Sequence, residues 1–278
     1  MLTKKTIGFL GAGNLAEALI KGLLSSKIVK AGQIMASDRL DSRLLHLAET
    51  YEIKVYSNNR EVVGNADIIF LTVKPGEVKG VLKEIALELA PGKLIISTAA
   101  GITASAVLES LKNYGLQRPI PVIRAMPNTP AIVRESAVGL HAGAGAKESD
   151  LDLAKAIFQS VGRVVIVEDE SLMDAVTGLS GSGPAYVFLF MEAMVEGGVK
   201  AGLSEESARL LAIQTTLGAA KLAIESPKSL ADLRRMVTSP GGTTLEGLKK
   251  LEEAGFKGAI IKAVEAATKR AGELSRKE

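Results

Sequence analysis

Two short stretches hold the residue types and spacings that can do chemistry. The first is Ile7-Gly8-Phe9-Leu10-Gly11-Ala12-Gly13-Asn14-Leu15-Ala16. Behind an apolar run, Gly11 permits a tight turn, Gly13 lets a pyrophosphate approach the backbone, and Ala16 lets a helix pack close to a strand. The second is Val237-Thr238-Ser239-Pro240-Gly241-Gly242-Thr243-Thr244. Two glycines and two threonines at the mouth of a helix offer backbone N–H groups and hydroxyls, a cradle for a small carboxylate. A dinucleotide turn and an anion cradle in one chain imply redox chemistry on a small acidic molecule.

Candidate cofactor contacts follow from where strands end. The first turn supplies Gly11, Ala12, Gly13, Asn14 and Leu15. The second strand ends at Ser37-Asp38-Arg39. An acid there would bond a ribose 2′-hydroxyl, whereas a nearby arginine favours a 2′-phosphate. Ser37, Arg39 and Arg43 suit the phosphate and Asp38 opposes it, so this segment leaves the choice open; Asp38 also fits a helix cap. Later strand ends add Val73, Lys74 and Pro75, then Ala99, Ala100 and Gly101, small enough to leave room for a nicotinamide. In the second stretch Ser239, Gly241, Gly242, Thr243 and Thr244 are the candidate substrate contacts. Thr244 is the candidate catalytic donor to a nitrogen that gains electron density. The competing reading of that stretch is a loop that only starts a helix.

The elements that must position these residues alternate. Strands are expected at 6–10, 33–37, 54–56, 67–73, 93–98, 121–125, 136–141 and 163–167. Helices are expected at 14–24, 42–50, 77–89, 104–113 and 148–160. This β-α-β rhythm predicts a doubly wound, mostly parallel sheet of Rossmann type. Beyond Val167 the strand signals stop, and helices are expected at 170–177, 184–200, 205–224, 230–236, 244–254 and 257–273. The expected domains are therefore 1–167 for the dinucleotide and 168–278, all helical. The helix at 205–224 is apolar almost all round, with Leu210, Leu211, Ile213, Leu217, Leu222 and Ile224. Such a helix must be buried on every side, and a small helical domain cannot cover it alone. A second subunit interlocked with the first is expected to do so. Ser182 is expected to cap the helix that carries Pro184.

Composition removes other classes. With 278 residues, 47% of them hydrophobic, the chain can build sizeable cores and is not disordered. A net charge of +3, with basic and acidic residues interleaved, gives no nucleic-acid stripe. No cysteine occurs, which removes disulfides, thiolate metal sites and a thiol nucleophile. His46 and His141 stand far apart, so no metal site is expected. The apolar stretch 183–191 meets Glu192 well short of the ~20 residues that span a membrane. A polar Lys4-Lys5 pair replaces any signal-peptide pattern, so a cytoplasmic protein is expected.

Taken together these motifs resemble the pyrroline-5-carboxylate reductases. The resemblance runs along essentially the whole chain: IGFLGAGNLAEALIKG at the start, VKP at 73–75, AAGIT at 99–103, RAMPNTP at 124–130, DAVTGLSGSGPAY at 174–186 and VTSPGGTTLEGL at 237–248. It implies NADPH as usual reductant with NADH sometimes accepted, reduction of a cyclic imine to L-proline, and a homodimer whose active sites draw on both subunits. Larger rings of dimers are compatible with it. It adds Asn59 to the cofactor contacts, beside Ser37, Lys74 and Ala100, and places Thr244 where the family has a threonine on the substrate nitrogen. Arg234-Arg235 departs from the acidic residue that many members carry ahead of the last motif. Two other classes stand beside this one. A β-hydroxyacid dehydrogenase would need a helix-borne lysine, for which Lys200 and Lys221 lack the expected context. A non-catalytic NADP-sensing protein would have no use for the cradle.

Overall fold

The computed structural model describes residues 2–275; the outermost ends of the expected domains, Met1 and residues 276–278, lie outside them. The described residues form two compact units, 2–182 with 266–275, and 183–265. This division differs from the expected one at 167/168, because residues 168–182 pack into the sheet unit and the chain returns to it near its end.

The first unit is an eight-stranded sheet in the order β3-β2-β1-β4-β5-β6-β7-β8. Its strands are β1 (Ile7–Leu10), β2 (Ile34–Ser37), β3 (Lys54–Tyr56), β4 (Ile68–Leu71), β5 (Leu94–Ser97), β6 (Val122–Met126), β7 (Ser136–Ala142) and β8 (Gly162–Ile166). All pairs are parallel except β6 with β7, where Arg124 stands opposite His141. The order reverses beside β1, which pairs with β2 on one side and β4 on the other, and a crevice opens at such a switch point.

The short apolar strands are covered on both faces, as parallel strands require. Alternate residues feed two cores. Phe9, Ile34 and Phe70 face α1 (Asn14–Ser25), α2 (Asp41–Tyr51) and α6 (Glu148–Phe158). Leu10, Met35, Ile69 and Ile95 face α3 (Asn59–Asn65), α4 (Pro75–Ile85) and α5 (Ala104–Asn113). Stacked rings of Phe9 and Phe70, 4.8 Å apart, centre the first core.

The helix expected at 170–177 is instead three tight pieces: a 3-10 turn, α7 (Met173–Val176), and a π-helical turn over Thr177–Gly181. The second unit holds α8 (Gly183–Lys200), α9 (Glu205–Glu225), α10 (Leu230–Met236), α11 (Thr243–Glu253) and the start of α12 (Phe256–Ser275). Ser204 caps α9 through the amide of Ser207, and α8 approaches α9 closely where Gly198 meets Ala208. Within one chain only Ala208 and Ala212 of α9 are buried; Leu210, Leu211 and Leu217 remain 67%, 54% and 45% exposed. The single chain therefore leaves open the apolar surface that the sequence requires to be covered. Among the described residues no helix is long and apolar enough to cross a membrane.

Candidate active site

The dinucleotide turn is built by hydrogen bonds between strand ends. The amide of Gly11 donates to Ser37 O at 2.9 Å, and the hydroxyl of Thr72 donates to Gly11 O at 2.7 Å. Gly11 adopts φ +98°, and a Cβ there would lie 2.9 Å from the amide nitrogen of Val73, so both conformation and space demand glycine. Gly13 is the N-cap of α1 with no side-chain cap, and a Cβ on it would meet nothing within 4 Å. Open space above uncapped helical amides fits a pyrophosphate.

Two cavities flank this turn. One, of about 500 Å³, is lined by Gly13, Ser37, Arg39, Asn59, Lys74 and Glu84, with Gly11, Asp38 and Val73 on its walls. The other, of about 490 Å³, is lined by Asn14, Leu15, Ala100, Met126, Asn128 and Thr177. Their placement on either side of the glycine turn fits the two halves of a dinucleotide laid across the switch point. Most expected cofactor contacts are thus brought together. Ala12 and Ala99 are buried. Gly101, at φ +78°, sits against Leu274, while Pro75 opens α4 and borders a separate groove between α4 and α5.

The polar side chains in the first cavity are committed in ways the sequence leaves open. Asp38 accepts from the amide of Ala12 at 2.7 Å and from that of Leu40 at 3.0 Å. Its carboxylate therefore braces the turn. Arg43 donates from Nε to Ala12 O at 2.9 Å and from Nη2 to Glu17 at 2.7 Å. Arg39 remains largely in solvent, 3.6 Å from Glu77. Ser37 donates to Asn59 Oδ1 at 2.7 Å, and Asn59 Nδ2 donates to Glu84 at 2.7 Å. Sequence reasoning missed Glu77 and Glu84, although a helix starting near 77 puts both on one face seven residues apart.

In the second cavity, Asn128 of the RAMPNTP motif fixes the wall. Its Nδ2 donates to Ser180 O at 2.9 Å within the π-helical turn, and its Oδ1 accepts from the Ser136 hydroxyl at 2.9 Å. Arg124 is 2% exposed and lies 3.6 Å from both Glu170 and Asp174. Glu170 also accepts from the amide of Ala104 at 2.7 Å, tying the start of α5, just beyond Gly101, to this buried charge.

The cradle in the second unit has its own geometry. Gly241 adopts φ +71°, and a Cβ on Gly242 would lie 2.4 Å from Ser239 Oγ, so the turn needs glycine at both places. Gly242 is the N-cap of α11 and has no side-chain cap. Of the amides of 241–243, that of Gly242 is already committed within the turn, donating to Ser239 O at 3.0 Å. The amides of Thr243 and Thr244, in the first helical turn, have no intrahelical acceptor. Neither threonine hydroxyl bonds within the chain among the described residues, so neither serves as the cap that the competing reading requires.

The switch-point crevice and its glycine turn define a dinucleotide-dependent oxidoreductase with an appended helical unit. A family model described as coenzyme F420-dependent NADP oxidoreductase matches residues 6–101, and one described as pyrroline-5-carboxylate reductase dimerisation matches residues 170–274. The chain belongs to the pyrroline-5-carboxylate reductase family. It is 44% identical to the pyrroline-5-carboxylate reductase of Pseudomonas aeruginosa over 269 residues, 97% of this chain and 96% of that one. A solved structure of the Coxiella burnetii enzyme matches with TM-score 0.91 and 38% identity over 98% of this chain and 99% of that one. The Plasmodium falciparum enzyme, solved with NADP bound, matches with TM-score 0.86 and 30% identity over 98% of each chain.

Proposed function

We propose that this chain reduces 1-pyrroline-5-carboxylate to L-proline, with NADPH as reductant and NADH as an alternative. The observation that carries the reading is an identity of 44% to a pyrroline-5-carboxylate reductase over nearly the full length of both chains. The uncapped α11 terminus behind Gly241-Gly242 supports it by offering what a small carboxylate needs.

The residues to hold the cofactor are the turn Gly11–Leu15, with Ser37, Arg39 and Asn59 at the adenosine end, and Val73, Lys74, Pro75, Ala99, Ala100 and Gly101 along the crevice. Asp38 acts there through the Ala12 amide. Bound NADPH supplies the hydride for the C=N carbon. The amides of Thr243 and Thr244, with Gly241 shaping the turn, grip the substrate carboxylate, and Ser239 adds a hydroxyl. Thr244 Oγ donates to the ring nitrogen as it changes from imine to amine, stabilising charge where it develops. That donation applies to a neutral imine; an imine that arrives already protonated becomes the amine on hydride addition alone and needs no further acid, in keeping with the lack of a histidine or carboxyl in residues 239–244.

The active unit is a homodimer in which the partner covers α9, and each site draws on both subunits. Association of such dimers into a larger ring is an extension of this reading, tested by particle mass in solution. The reading carries a cytoplasmic location with it.

The test is oxidation of NADPH by the purified protein with pyrroline-5-carboxylate, compared with a 3-hydroxy acid plus NADP and with no substrate. Turnover only in the first is expected. Turnover with the hydroxy acid would install the dehydrogenase reading, and cofactor binding without any turnover the sensor reading.

A further inference from the structure

The adenosine-end cavity contains a three-member relay whose direction is fixed from one end. Glu84 is an acceptor only when ionised, so the group facing it on Asn59 must be Nδ2, 2.7 Å away. That places Asn59 Oδ1 toward Ser37, 2.7 Å from its hydroxyl. An amide oxygen can only accept, so Ser37 spends its single proton there. Phe9 O, at 3.4 Å from Ser37 Oγ, is the other acceptor within reach, and it too lies inside the protein. Ser37 thus has only lone pairs left for the cavity that it lines.

We infer that Glu84 is a specificity-determining residue for the cofactor, holding Ser37 as an acceptor that matches a ribose 2′-hydroxyl and weakens the grip on a 2′-phosphate. A hydroxyl at the 2′ position brings a proton to Ser37. A phosphate brings only lone pairs, and it finds a donor there only after the Asn59 amide has turned over, which the Glu84 carboxylate opposes. Formal charge acts in the same direction. Asp38, Glu77 and Glu84 line the cavity against only Arg39 and Lys74, and Arg39 lies 3.6 Å from Glu77. Discrimination in favour of NADPH is therefore weaker than Ser37 and Arg39 by themselves dictate, which leaves NADH accepted as an alternative.

The inference rests on the cofactor assignment above and is tested by binding alone. In Glu84→Gln the shape is kept, but the glutamine can donate to Asn59 Oδ1. Asn59 can then donate to Ser37, and the Ser37 proton is released to the cavity. Calorimetric Kd values are measured for NADPH and NADH, and for 2′,5′-ADP and 5′-ADP, on the wild type, Glu84→Gln, Ser37→Ala and the double variant. The expected result is a shift of about tenfold toward the 2′-phosphorylated ligand in Glu84→Gln, the worth of a charge-assisted hydrogen bond. In the Ser37→Ala background most of that shift disappears. An unchanged ratio in Glu84→Gln overturns the inference, as does a full shift that survives without Ser37, which would mean bulk charge and no relay. If the wild type binds neither dinucleotide, the cofactor assignment itself falls, and a flat ratio with tight binding of both leaves that assignment standing while removing Glu84 from it.

Discussion

Asp38 Oδ2 accepts a 2.7 Å hydrogen bond from the amide of Ala12, so the acid at the end of β2 is part of the phosphate turn. With its other oxygen on Leu40 N, the carboxylate has both oxygens occupied by backbone. Asp38→Ala should therefore weaken NADPH and NADH together, by about 1–3 kcal/mol, the cost of leaving a buried donor unmet. Titration of both cofactors checks this. A change in their ratio without a common loss would show that Asp38 reads the ribose.

Thr244→Ala should lower kcat/KM for the imine by ~1–3 kcal/mol while leaving the thermal midpoint close to that of the parent, because Thr244 does not cap α11. Steady-state kinetics beside a melting curve separates the two. Normal kinetics in a folded variant would end the assignment.

Replacing Leu210 and Leu217 on α9 by glutamate puts charge into the exposed apolar surface. Dissociation of the dimer is expected in sedimentation, with loss of activity that rises again with protein concentration. A variant that remains dimeric at micromolar concentration would place the interface elsewhere.

Arg124→Leu removes the cation between Glu170 and Asp174 and leaves two carboxyls facing an apolar side chain. A loss of about 2–4 kcal/mol in denaturant unfolding is expected, below the full figure for a buried pair because both acids reach solvent. A loss within experimental error would mean that the carboxylates are fully hydrated.

Glu17 supplies a pH test. Burial pushes its carboxyl up, but hydrogen bonds from His46, Arg43 and Tyr51 outweigh this and hold it below the usual range. The folded form therefore binds its proton less readily than the unfolded chain. The resulting stability is present above the ordinary glutamate value of about 4.3 and is lost as pH falls through the lower folded value. Acid unfolding of Glu17→Gln should show a shallower dependence over that window. An identical acid limb in both proteins would remove the cluster from the account.

The parts of this molecule that follow from local periodicity were legible in the residues. β1, the glycine turn and α1 were, because an apolar run, a G-x-G spacing and a helical pattern fall in sequence. So was the open face of α9, whose apolar residues circle the whole helix. What was hidden depends on partners distant in the chain. The aim of Asp38 is set by an amide 26 residues away, and that of Asn59 by a carboxylate 25 residues away. The π-helical turn at Thr177–Gly181 is held by Asn128, 52 residues before Ser180. The antiparallel direction of β7 was equally hidden, since strand direction leaves no mark on side-chain alternation.

The last turns of α12 belong to the sheet unit, where Leu274 lies against Gly101 and the Ser275 hydroxyl reaches Asp174. Clipping the chain ahead of Ala266 would remove Leu274 and Ser275 and bare the loop that follows β5. Engineering at the carboxyl end, including fusions and trimming, would be felt first in the crevice.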